Sequence, residues 1–304
     1  MSARRKKRRK SGKTNNNLAK KVFVLLFAFA FFLLITLRTR LWDATTKLAL
    51  VVNRQDAVLV YIFDKGLEEI TTITIPNSTQ VEVSRQLGTW QLGSVWKLGQ
   101  NEDLGGKLLA ETITRHFKLP VFAWADGQAE GFIKGGPFSL VKAVIFPYQT
   151  NLLIGDRLKI GIFSLRVSEF ARDEIDFSKS SFIKKTILVG GEEGYVLSGK
   201  IPTKITSLFS DPQILEKQAK VAIVDATGSY GLAEEFGQLV EVMGAKVVAI
   251  KDREEEDFDC QVYSEDKKLS EKFTDAFDCE SNVEVEEGNF DLVIKLGKKF
   301  WRRF

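Results

Sequence analysis

The chain has 304 residues, 44% of them apolar and 28% charged, with 23 Phe, two Cys and a single His. Ten of the 44 basic residues fall in 1–21, and Arg38 and Arg40 add two more, which leaves 32 basic against 40 acidic residues in 43–304. The basic character thus belongs to the N-terminal tail, and an acidic remainder excludes nucleic acid as a partner of the folded part.

Residues 1–21, MSARRKKRRKSGKTNNNLAKK, form a basic tail with no acid, whose expected partner is anionic lipid. Val22 to Leu37 follows, with no charge and one hydroxyl, Thr36. At about 1.5 Å per residue this run is short for a hydrocarbon core of roughly 30 Å, and continuing it to Trp42 makes up the length. Arg38 and Arg40 would then snorkel and Trp42 would sit at the interface. The reading is an uncleaved transmembrane signal anchor over 22–42. The positive-inside bias puts the N-terminus inside the cytoplasmic membrane and residues 43–304 outside it. The competing reading is a cleaved signal peptide, but the only small-x-small triplet nearby, Ala28-Phe29-Ala30, lies within the apolar run.

LALVVNRQDAVLVYIF and GLEEITTITI meet at Asp64-Lys65-Gly66 and predict a hairpin, with strands near 57–63 and 68–75. Pro76 ends the second strand, and Asn77-Ser78 supply turn chemistry. The glycine-rich stretch 84–107, carrying Trp90 and Trp96, reads as a loop. A helix is expected from Asp103 to Phe117, with Leu104, Leu108, Leu109 and Ile113 on one face and Asp103 placed to cap it. The only histidine, His116, reads as a solvated helix-end residue, not as part of a zinc cluster or a Ser-His-Asp or Cys-His pair. A strand over 119–126, a short helix near 137–145 and helical spacing from Leu158 to Leu165 follow. A strand pair around the turn Gly190-Gly191-Glu192-Glu193-Gly194 completes an α/β unit over 47–199. Residues 200–218 read as a linker with one helix.

From Lys220 the pattern is β-α-β-β-α-β, an α+β unit over 219–297: strands 220–226, 245–251, 260–264 and 290–297, with helices from Leu232 to Met243 and Glu265 to Phe277. The turn Thr227-Gly228-Ser229-Tyr230-Gly231 lacks the G-x-G-x-x-G of a dinucleotide site and reads as structural. The acidic run DREEEDFD lacks the ligand spacing of a calcium loop and reads as solvated. The terminal 298–304, part of KLGKKFWRRF, is either a frayed tail or a contact for an anionic wall polymer or headgroups. Cys260 and Cys279 bracket a strand and the helix after it, a placement that admits a disulfide.

The last 80 residues resemble the LytR C-terminal domain: a strand, an Asn/Asp-x-Thr-Gly turn, Gly-Leu-Ala opening a helix, then Gly and a second strand, here VAIVDATGSYGLAEEFGQLVEVMGAKVVAI. The central region resembles a shortened LytR-CpsA-Psr catalytic domain. Arg54-Gln55-Asp56 opens AVLVYIF like that family's Arg-x-Asp, Thr74-Ile75-Pro76-Asn77-Ser78-Thr79 stands where it has Ser-Ile-Pro-Arg-Asp-Thr, and Thr150-Asn151-Leu152 is similar to a triplet near its end. The resemblance implies transfer of a glycopolymer from a polyprenyl diphosphate carrier to peptidoglycan with Mg²⁺, arginines holding the diphosphate and carboxylates the metal. Asn77 and Ser78 stand in place of an Arg and an Asp, and the family's later arginine block has no counterpart between 120 and 190. Of the implied site only Arg54 and Asp56 remain. The expectation is a degenerate domain without cofactor, in an envelope protein that binds or scaffolds cell-wall polymer or other envelope proteins. The alternatives are an active Mg²⁺-dependent phosphotransferase with a rebuilt site, and a membrane-tethered envelope regulator.

Overall fold

The computed structural model describes residues 20–24, 27, 39–42, 44–282 and 289–304. Most of the stretch expected to span a membrane lies outside these. Among the described residues no helix is long and apolar enough to cross a membrane.

β1 (Lys47–Asn53), β2 (Ala57–Asp64) and β3 (Glu69–Pro76) form an antiparallel meander. β2, AVLVYIFD, is buried at every position. Its alternation explains this: Val58, Val60 and Ile62 face one core, and Leu59, Tyr61 and Phe63 face another. β4 (Gln80–Glu82) pairs with β5 (Thr89–Gln91), and α1 (Leu92–Asn101) and α2 (Lys107–Phe117) cover the first face. β6 (Ala123–Asp126) runs parallel to β1. α3 (Gly136–Ile145) and α4 (Ile154–Arg166) cover the second face. β7 (Arg172–Asp176) closes the sheet, in the order β6-β1-β2-β3-β7. The result is a three-layer α/β/α unit, with a flanking pair, β8 (Ile183–Ile187) and β9 (Glu193–Leu197).

The short helices α5 (Thr203–Thr206) and α6 (Pro212–Lys217) lead to the second sheet. There β10 (Lys220–Ala226), α7 (Leu232–Val242), β11 (Lys246–Asp252), β12 (Cys260–Tyr263), α8 (Lys267–Phe277), β13 (Glu280–Asn282), β14 (Leu292–Gly297) and α9 (Lys298–Arg303) follow in turn. The strand order is β11-β10-β14-β12-β13, so β14 inserts between β10 and β12. Cys260 and Cys279 are joined in a disulfide that ties β12 to the end of α8.

Several expectations change. The stretch read as a loop around Trp90 and Trp96 holds β5 and α1, with Leu92, Val95, Trp96 and Gly99 buried. Asp103 does not cap a helix: it has a φ of 56° in the turn between α1 and α2, and α2 starts at Lys107. Residues 200–218 do more than link, since Ile205 and Phe209 join the first core and Ile214 the second. The terminal stretch is helical, with Phe300 fully buried and Phe304 nearly so. β13 lies between α8 and the last strand, outside the expected β-α-β-β-α-β order.

Trp42 is the clearest correction. It is not an interfacial residue at the end of a span but 2% exposed, packed 6.0 Å from Phe63 and edge-on at 5.5 Å to Phe163. Asp156 puts it there. This fully buried carboxylate in the first turn of α4 accepts from the amides of Arg40, Leu41 and Trp42 on Oδ1, at 3.1–3.2 Å, and from Leu153 on Oδ2 at 2.9 Å. Four amides would otherwise lack a partner in or near the core, each at a cost of about 1–3 kcal/mol. Asp156→Ala is therefore expected to lower stability by about 3 kcal/mol or more, read as a drop in the urea midpoint. Unchanged stability would mean that the chain before β1 is not held as described.

Candidate functional site

The residues singled out in the sequence converge at one end of the first sheet. Arg54-Gln55-Asp56 is the turn of the β1–β2 hairpin, closed by Arg54 N–H donating to Ala57 O at 3.1 Å. Asp56 pairs with the Arg54 guanidinium at 2.5 Å, and Glu130 approaches it at 3.6 Å. Burial opposes the charge on Arg54, but the two carboxylates outweigh it and raise an already high pKa. Asn77, in the turn after β3, donates from Nδ2 to Gln55 O at 2.8 Å and to Arg54 O at 3.4 Å. Its Cβ is close enough to α1 that a side chain at Gly93 would clash at 2.8 Å. Ser78 O accepts from Tyr195 N under β9. Asn151 brackets the backbone of β6, its Oδ1 accepting from Trp124 N and its Nδ2 donating to Phe122 O, both at 2.8 Å.

This cluster is a turn held by its own charges. One cation faces two carboxylates, which leaves nothing in excess for a diphosphate. The divalent cation implied by the resemblance does not fit it either. Asp56 is tied to Arg54, and Ser78 offers a hydroxyl where the resemblance implies a carboxylate.

A hollow lies elsewhere, in the cleft between the two sheet units. A cavity of about 350 Å³ has walls of Val121, Phe122 and Trp124 from the first unit and Ala276, Phe277 and Phe304 from the second, with Arg40, Lys107 and Asp278 at its rim. A second hollow of about 210 Å³, lined by Pro120, Leu208, Phe209 and Met243, shares Arg40, Leu41 and Ala276 with it. The segment held by Asp156 therefore stands between the two. Nothing in the sequence brought these residues together.

Polar and aromatic contacts join the two units across the cleft. Glu235 on α7 accepts from Lys118, and from Arg115 at 3.4 Å; Lys107 pairs with Asp278 at 2.5 Å; Phe122 meets Phe277 edge-on at 5.5 Å. Burial would raise the Glu235 carboxyl, but Lys118 and Arg115 hold it below its usual range, while burial lowers the Lys118 ammonium. His116 is not solvated as expected. Burial, with Lys118 nearby, pushes it down to about 4, and its Nδ1 faces the Glu82 amide at 3.4 Å. The acidic run and the basic terminal stretch are partners of each other: Lys298 pairs with Glu255, Lys299 with Asp257 at 3.7 Å, and Arg303 with Asp259 at 2.8 Å. In the turn after β10, Asp225 Oδ1 accepts from Thr227 N and Oγ1.

No family model matches the chain, and no curated protein matches it. Among solved structures it is similar to Bacillus subtilis TagV, at a TM-score of 0.36 and 9% identity, over 50% of this chain and 91% of that one. It is also similar to the LytR-CPS2A-Psr family protein YwtF (TagT), solved with octaprenyl pyrophosphate lipid, at 0.34 and 13%, over 53% and 88%. A third is Lin1025 of Listeria innocua, at 0.36 and 11%, over 50% and 90%. These matches transfer no residue role to this chain.

Two predictions follow from the cleft. Glu235→Leu leaves Lys118 buried without its partner and is expected to cost about 3 kcal/mol; Lys118→Met with Glu235→Leu should cost less than that single change. Equal or additive losses in chemical denaturation would contradict the pairing. His116 takes up its proton near pH 6.5 when unfolded but only near 4 when folded. Its neutral form therefore contributes stability above pH 6.5 that is lost as the pH falls toward 4, up to about 3 kcal/mol. In His116→Gln the fall in denaturation midpoint between pH 7 and 5 should be smaller than in the wild type; an unchanged fall would assign that acid sensitivity to other groups.

Proposed function

We propose that the chain is a single-pass envelope protein of LytR type, N-terminus inside, whose residues 43–304 bind or scaffold cell-wall polymer or envelope proteins outside the cytoplasmic membrane. It transfers no polymer. One observation carries this reading: the Arg54 charge is cancelled by Asp56 and Glu130, and Asn77 holds the hairpin turn where the transferase motif has a cation. Stabilising the charge that develops on a diphosphate takes preorganised cations, and loss of one such donor typically costs about 10²–10³ in rate. The disulfide suits an oxidising compartment, and the C-terminal unit serves in this reading as a LytR C-terminal-like module. The aromatic-walled cavity of the cleft is the place we assign to the polymer.

The full chain in detergent, given a glycan linked to polyprenyl diphosphate and Mg²⁺, should neither transfer nor hydrolyse it. Asn77→Arg with Ser78→Asp should not restore turnover, because Arg54 stays neutralised and the hairpin loses its clasp. Wall polymer should still be retained in a pull-down, and less of it by Ala276→Trp, which fills the cleft. Turnover abolished by Arg54→Ala would make the protein an enzyme and end this reading.

A further inference from the structure

α3 and α4 present apolar side chains to solvent. Phe138, Val141 and Ile145 recur at helical spacing along α3, with Phe138 68% exposed; Ile162 and Leu165 lie along α4, with Leu165 71% exposed; and Phe170 beyond it is fully exposed. The helices cross closely at Gly161, where a Cβ would fall 2.7 Å from Val144 Cγ2. Their buried faces, Ala143 on α3 and Ile160 and Phe163 on α4, pack toward the sheet, so both stripes look away from it. An apolar patch of this kind marks an interaction surface.

Charge and position indicate what covers it. The exposed charges of the two helices are Lys142 and Arg166, with Lys159 half-buried; their one acid, Asp156, is buried, and exposed Glu169 adjoins Phe170 beyond them. This reverses the sign of residues 43–304 as a whole, where 40 acidic residues outnumber 32 basic ones. The Lys142 ammonium lies 4.7 Å over the Phe138 ring. Aromatic rings and branched aliphatics bordered by lysine and arginine suit the boundary between headgroups and acyl chains. Asp156 also ties the start of α4 to the segment that follows the apolar run in sequence. It holds Arg40, three residues after Leu37, the last residue of the apolar run.

We infer that the exposed face of α3 and α4 seats on a bilayer surface that bears anionic headgroups, with the rings and branched chains at the acyl boundary and the cations at the phosphates. The inference rests on the anchored reading proposed above, and it adds a second contact with the membrane that orients the folded part instead of leaving it to swing on a tether.

The test uses the full chain reconstituted in vesicles of phosphatidylcholine and phosphatidylglycerol with brominated acyl chains. A polarity-sensitive dye is attached at Leu165→Cys or, as control, at Ile187→Cys, an exposed position on β8. Protease protection first scores insertion. In inserted chains the expected result is loss of fluorescence at 165 and none at 187, with the signal at 165 recovered in Phe138→Glu. No quenching at 165, or equal quenching at both positions, overturns the docking face while leaving the anchor standing. Chains that do not insert overturn the anchor alone. The docking face then predicts flotation of the chain with the same vesicles, lost in Phe138→Glu with Ile145→Glu, and flotation that is absent or indifferent to these changes overturns it.

Discussion

A single carboxylate oxygen sets much of this molecule's geometry. Asp156 Oδ1 takes three consecutive amides, those of Arg40, Leu41 and Trp42, and its second oxygen takes the amide of Leu153 at the start of α4. Helix N-termini favour such an acceptor, because their first amides have no partner within the helix. Here the same group also captures a segment more than 110 residues away in sequence. That capture drives Trp42 between Phe63 and Phe163, and it lays Arg40 and Leu41 along the cleft, where they separate two hollows. α4, which packs against α3 at Gly161, begins at the same contact.

The second organising theme is cancellation of charge. Arg54 is matched by Asp56 and Glu130, Lys118 and Arg115 by Glu235, and the acidic run 252–259 by α9. Motif-like charges therefore serve as internal fasteners, with little field left to act on a ligand at those positions. Pairs at an exposed rim contribute little to stability. Pairs within the cleft matter more, because removing one member leaves the other desolvated.

Much of the secondary structure was legible because alternation and helical spacing are local. The hairpin strands at 57–64 and 69–76 lie within a residue of where β-branched and aromatic alternation puts them, and α3, α7 and α8 fall where apolar spacing does. What failed did so for physical reasons. Glycines that read as loop punctuation around Trp96 are required for contact: a Cβ at Gly99 would fall 2.2 Å from Gly105 O, and one at Gly106 2.4 Å from the Trp124 ring. A tryptophan after an apolar run looks the same whether lipid or a core receives it, and Trp42 goes to the core. The cleft was invisible, since its defining contacts join residues more than a hundred positions apart, such as Lys118 and Glu235. One signal could have been used: an acidic run at 252–259 and a basic stretch at 298–303 in one small unit are natural partners.

The cavity between the two units has walls from segments far apart in the chain: Arg40 and Leu41 on one side, Phe300, Arg303 and Phe304 on another. A nascent chain makes these groups at opposite times. The first sheet and its helices can assemble while the second unit is still being synthesised, with Phe122 and the α2 ion-pair partners exposed until α7, α8 and α9 arrive. Of the described elements α9 is thus made last, and its Phe300 and Arg303 complete the wall of the cleft.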